Sequence, residues 1–155
     1  MKKLSLYVFL GLLWCNVSSA DYCKSTDIVD GQSVKEYADK YKNYYVPEEA
    51  YKFGLEIQSA FKHKDVKKLL SLIKGDLRGG PEESYFIGKS FDDLFSEEYV
   101  KEILKWKPNC FPMSPKTGFI LGVADLWYDR LKKIDPSSGK IEYGAWSITR
   151  FTEIK

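Results

Sequence analysis

Residues 118–128 read GFILGVADLWY, an apolar run interrupted by a single charged side chain. Such a run has to be covered on folding. Its alternation predicts one long strand, with Phe119, Leu121, Val123, Asp125 and Trp127 on one face and Ile120, Gly122, Ala124, Leu126 and Tyr128 on the other. Both faces are largely apolar, so the strand is expected to be central and buried on both sides. Asp125 then falls on the larger apolar face. A carboxylate there needs a partner or a chemical role, because burying it bare is costly.

The C-terminal run KIEYGAWSITRFTEI also reads as a strand, reached through the turn Asp135-Pro136-Ser137-Ser138-Gly139. A simple hairpin centred on Ser137 and Ser138 pairs Lys133 with Glu142, Trp127 with Ile148, and Asp125 with Arg150. Opposite charges then face each other twice. A bulge would spoil this register.

Helices are expected earlier in the chain. Ser33 can cap a helix running toward Tyr45, with Glu36 completing a capping box. Pro47, Glu48 and Glu49 suit the first turn of another, whose stripe is Ala50, Phe53, Ile57, Ala60 and Phe61. Asp65 can cap a third, carrying Val66, Leu69, Leu70, Leu72 and Ile73. Residues 84–88, SYFIG, are a short strand candidate, and Ser90 caps a helix through Lys107 with a break near Ser96 and Phe91, Leu94, Phe95, Val100, Ile103 and Leu104 inward. Helices first and long strands last indicate an α+β class.

The first twenty residues have the plan of a secretory signal peptide: Lys2 and Lys3, an apolar core from Leu4 to Trp14, and small residues Ser18 and Ala20 before Asp21. The core is shorter than an ordinary membrane span. A lipoprotein modified at Cys15 and an uncleaved anchor are the alternatives, Trp14 speaking against the first. On this reading residues 1–20 are a leader, 21–46 an N-terminal arm and helix, and 47–155 a single α+β domain in an exported, periplasmic or secreted bacterial protein without stable membrane insertion after cleavage. The leader removes two of the 24 basic residues, so the remainder balances the 22 acids. No concentrated basic excess marks a nucleic-acid partner. Lys62, Lys64, Lys67 and Lys68 cluster at helical spacing and read as a solvated face. Cys23 and Cys110 remain, an even pair that forms a disulfide in an oxidising compartment or else two free thiols.

Little of the remaining chemistry points to catalysis. His63 is the only histidine and lies among lysines at a helix end, so neither a zinc-type site nor a histidine-based triad is expected. No cofactor is implied. KGDLRGG, residues 74–80, lacks the Gly-Lys-Ser/Thr ending of a phosphate-binding loop and reads as a turn. Asp125 is the one catalytic candidate. Among apolar side chains its carboxyl would have a raised pKa and could act as an acid or base; paired with Arg150 it would be structural. Tyr37, Tyr41, Tyr44 and Tyr45 form a tyrosine-rich arm that either packs over the sheet or offers a protein or glycan contact.

The run FGLEIQSAFKHKDVKKLLSLI resembles the opening helix pair of the nuclear-transport-factor-two-like, or cystatin-like, superfamily. GAWSITRF is similar to its final strand, and GFILGVADLWY to a strand in uncharacterised secreted bacterial proteins of that type. The resemblance spans roughly residues 47–151. It implies helices packed on a curved, cone-like antiparallel sheet around a concave pocket, with Tyr85, Asp125, Trp127, Tyr128 and Arg150 as candidate lining. Few strands are evident between Leu77 and Asn109, where the superfamily usually has one or two. Its members include isomerases, dehydratases and binding domains, so the fold does not choose among them. The absent catalytic set favours a non-enzymatic binding module for a protein or small ligand. The alternative is a cofactor-free isomerase or hydratase using a pocket carboxylate.

Overall fold

The computed structural model describes residues 23–155 apart from positions 25, 30, 43, 115 and 124. The expected leader, with Cys15, lies outside the described residues. No helix of the described residues is long and apolar enough to cross a membrane.

The architecture is α+β. A two-stranded ribbon, β1 (Ile28–Val29) and β2 (Gln32–Ser33), leads into α1 (Val34–Lys40), α2 (Pro47–Lys62) and α3 (Val66–Ser71). A 3-10 turn over Glu83–Phe86 precedes α4 (Phe91–Leu94) and α5 (Glu97–Lys105). The chain closes with β3 (Phe119–Leu121), β4 (Leu126–Ile134) and β5 (Ile141–Phe151), an antiparallel sheet in the order β3-β4-β5. The described sheet has three strands, fewer than the expected cone-like wrap.

Local chemistry sets the helix ends. Ser33, Asp65, Ser90 and Ser96 each accept a backbone N–H of the first turn, and Ser90 and Asp93 complete a capping box. α2 opens on Pro47 with Glu48 and Glu49 in its first turn. α1 stops at Lys40, short of the tyrosines expected to extend it. The break at Ser96 separates α4 from α5. Residues 84–88 are not a strand: Glu83–Phe86 coil into a 3-10 turn that buries Phe86 in the core, with Tyr85 packed against it.

The stripe Ala50, Phe53, Ile57, Ala60 and Phe61 is buried throughout. It packs with Phe91, Leu94, Phe95 and Ile103 against Phe119, Leu121, Leu126, Tyr128, Ile148 and Phe151 from the sheet. Each such side chain contributes roughly 1.5–3 kcal/mol by leaving water. Leu104, expected inward, is exposed, and Tyr99 takes the inner position instead. Gly54 lets this layer close, because a Cβ there would lie 2.6 Å from the Pro108 ring.

Residues 118–128 are not one strand. The run folds back on itself, so that Phe119 pairs with Tyr128 and Leu121 with Leu126. Gly122 takes φ +68°, a conformation that side chains with a Cβ resist. Asp125 Oδ2 accepts the Val123 N–H at 2.9 Å. Turn chemistry at GVAD therefore overrides the alternating pattern, and the buried length is reached by two short strands side by side.

The second hairpin starts in the expected register, Lys133 opposite Glu142, then slips twice. Shifts lie between Arg130 and Lys132 and between Trp127 and Tyr128, each giving β5 one extra residue. Tyr128 thus pairs with Ile148, and Trp127 pairs with Arg150. The expected pairs Trp127–Ile148 and Asp125–Arg150 do not form.

Cys23 and Cys110 are joined by a disulfide with Cα atoms 5.4 Å apart, both sulfurs lying in a small cluster with Val34 and Tyr51. It ties the start of the described chain to the loop before β3. The tyrosine-rich arm packs over the core: Tyr44 and Tyr45 are buried, and Tyr45 meets Phe119 edge-on with centroids 5.2 Å apart.

Candidate functional site

The second bulge decides what the outer sheet face presents. Inward positions of β5 should alternate, yet Ile148 and Phe151 are both buried with two residues between them. Thr149 and Arg150 therefore share the opposite face, beside the cross-strand Trp127. One extra residue re-aims a side chain in this way, at the cost of a local bend in the strand.

A neighbouring segment completes the surroundings. Residues 72–78 run along β5: Ile148 N donates to Leu72 O at 3.0 Å, Lys74 N to Ser147 Oγ at 2.9 Å, and Arg78 N to Thr149 O at 2.7 Å. These bonds fix Arg78 beside Thr149. Its Nη1 donates to Lys116 O at 3.3 Å, reaching the loop that leads into β3. Arg78, Thr117, Trp127, Thr149 and Arg150 together line a cavity of about 110 Å³.

The chemistry of this cavity is one-sided. It holds two guanidinium groups, an indole and two threonines, and no carboxylate lines it. Among the described residues neither Arg78 nor Arg150 forms an ion pair. Arg150 and the Trp127 indole make no side-chain hydrogen bond among those residues, while the Thr117 hydroxyl lies 2.8 Å from that of Ser114. Thr149 is only 6% exposed, and its Oγ1 is buried without a hydrogen-bond partner. A buried hydroxyl in that state costs the fold about 1–3 kcal/mol.

No family model, curated protein or solved structure matches the chain.

Of the five residues expected to line one pocket, Trp127 and Arg150 meet in this cavity and three lie elsewhere. Asp125 is in the β3–β4 turn, its carboxylate bonded to Val123 N. Its carbonyl accepts the Tyr99 hydroxyl at 2.6 Å and the Thr152 hydroxyl at 2.8 Å, so the residue staples α5 and the C-terminal end to the turn. Tyr128 is in the core, where burial pushes its hydroxyl far above the ordinary tyrosine range. Tyr85 belongs to the 3-10 turn, donating to the Lys155 carbonyl and lying under the Lys89 ammonium.

The buried carboxylate is Asp129, fully enclosed rather than on a pocket wall. It accepts the Tyr44 hydroxyl at 2.6 Å, and its other oxygen lies 2.8 Å from Lys132 Nζ. Next to it, Arg130 donates to the carbonyls of Tyr143 and Gly144 at 2.6 and 2.9 Å. This network joins the tyrosine arm to the sheet and borders no described cavity.

A larger hollow of about 730 Å³ lies between α3 and the 3-10 turn, floored by Leu70, Ile73, Leu77 and Phe86 and rimmed by Lys74, Asp76 and Glu82. His63 caps the end of α2 with its ring 2.8 Å from the Ser59 carbonyl. Among the described residues no group of three His, Cys, Asp or Glu side chains could hold a metal ion.

Arg78, Thr117 and Thr149 are the site residues that strand periodicity does not reveal. Thr149 and Arg150 share a face only through the bulge, and Arg78 arrives on a loop with no period at all. No signal in the sequence pointed to them, since the simple hairpin already placed opposite charges together twice.

Proposed function

We propose that the chain is an exported, non-enzymatic binding module that holds its ligand at the outer sheet face around Trp127 and Arg150. The observation that carries this reading is the cavity that gathers an indole and two guanidinium groups without an ion pair or a lining carboxylate among the described residues. An aromatic plane beside charged donors suits recognition, since such groups fix a ligand's orientation. No acid–base pair accompanies them.

The isomerase or hydratase alternative depended on Asp125 in an apolar cavity. Its carboxylate holds the β3–β4 turn instead, which removes the support for that mechanism. Export draws support from the disulfide, a bond characteristic of oxidising compartments. The helix pair α2–α3 and the closing β4–β5 hairpin support the likeness to the nuclear-transport-factor-two-like superfamily as a proposal, on a reduced sheet.

The reading is tested by screening purified protein against small mixtures of anionic, neutral polar and aromatic fragments, followed by two-dimensional NMR. Signals from Trp127, Arg78, Thr149 and Arg150 are expected to move with at least one class. Shifts confined to the hollow around Leu70, Ile73 and Phe86 would overturn it.

A further inference from the structure

The cavity at the bulge is too small for a whole ligand. About 110 Å³ falls well short of the roughly 300–1,000 Å³ of complete small-molecule sites and has room for only a few waters. It suits a headgroup whose remainder lies outside, against the half-buried Trp127.

Charge narrows the headgroup. Two cations placed around one small hollow repel each other, and no described acid relieves them. A guanidinium presents five N–H donors in a planar fork that matches carboxylate, phosphate and sulfate oxygens. Arg150 has all of its donors unused among the described residues, and Arg78 has one engaged, on Lys116 O. Thr149 lies in the wall of the hollow with its Oγ1 covered, and the bulge that puts Arg150 beside it breaks an otherwise regular ladder.

We infer that Arg78 and Arg150 form an oxyanion subsite, which takes the phosphate, sulfate or carboxylate group of a larger ligand, with Trp127 beside the group that carries it. This rests on the reading of the outer face as the binding surface and specifies its chemistry. Arg150 and Arg78 supply charge-assisted donors. Because both guanidinium groups are exposed, binding weakens as salt rises.

The test is an NMR titration of purified protein with inorganic phosphate, sodium sulfate, sodium acetate, phenyl phosphate and phenol, each against sodium chloride at matched ionic strength. The reporters are the Trp127 indole N–H and the two arginine Nε–H groups. Saturable shifts with one or more oxyanions are expected, with phenyl phosphate tighter than inorganic phosphate if Trp127 contributes. Arg150→Gln and Arg78→Gln should each weaken binding by about tenfold or more, the size of one lost charge-assisted bond. The source of the headgroup is read from which anion is tightest: acetate for a carboxylate ligand, phosphate or sulfate for the corresponding esters.

Three outcomes would overturn the inference. If phenol shifts the indole while no oxyanion acts beyond chloride, the surface binds but is not an oxyanion site, and only the inference fails. If nothing shifts these signals, both it and the binding-face reading fail. If oxyanions bind equally to wild type and to folded Arg150→Gln and Arg78→Gln proteins, the anion is held elsewhere.

Discussion

Tyr44 donates a 2.6 Å hydrogen bond to Asp129, a carboxylate with no exposure to solvent. The bond spans the arm before α2 and the middle of β4. Removing the hydroxyl leaves a buried carboxylate oxygen short of a donor. Tyr44→Phe should therefore lower unfolding stability by about 1–3 kcal/mol, measured by urea titration with the slope unchanged. A loss below a few tenths would mean that solvent reaches Asp129 and that the arm is not pinned there.

Thr149→Val should move stability the other way. The replacement deletes a buried hydroxyl that has no partner and keeps the branched shape. A gain of about 1 kcal/mol is expected, visible as a rise in Tm of about 3 °C. A loss of stability instead would mean that the hydroxyl has a partner in the folded protein.

The disulfide links residues 87 positions apart, so it closes a long loop of the unfolded chain. Replacing both Cys23 and Cys110 by serine should cost about 4–5 kcal/mol on the chain-entropy account. Both cysteines are buried. Reductant should thus act only on opened molecules, and the reduction rate should rise with urea well below the unfolding midpoint.

Alkali should unfold the protein steeply. Burial, as the largest cause, raises the hydroxyl groups of Tyr44, Tyr45, Tyr99 and Tyr128 far above their ordinary value near 10. The folded state then keeps protons that the unfolded state releases. This contribution is intact below about pH 10 and is lost as pH rises above it. Tyr99 and Tyr128 alone remove about 3 kcal/mol per pH unit. Phenolate absorbance and circular dichroism should change together; separate transitions would mean that these rings ionise in the native state.

The helical half of the molecule was readable because its signals are local. Ser33, Pro47, Asp65 and Ser90 announce helix starts within one turn of the chain, Ser96 reads as a break, and the stripe from Ala50 to Phe61 needs only its own period. The sheet half was misread where short-range chemistry beats pattern. Gly122 and Asp125 make a turn inside a run whose hydrophobicity says strand, and that moved the buried carboxylate from Asp125 to Asp129. The site fared as its parts did. Trp127 and Arg150 were legible as polar-tipped residues on strands. Arg78 and Thr149 were not, because their positions depend on a pairing slip and on a loop–strand contact that no single segment encodes.

The bulge between Ile148 and Phe151 also determines which kind of genetic change can erase the cavity. Exchanging one amino acid at Thr149 or Arg150 alters a single donor and leaves the rest of the wall in place. Loss of the Thr149 codon would instead restore regular alternation, keep Ile148 and Phe151 inward and leave one residue where two now stand. The fold would survive such an in-frame deletion better than the site would. On the proposed binding role, descendants of this gene that no longer bind should carry a β5 one residue shorter, with little other change in its composition.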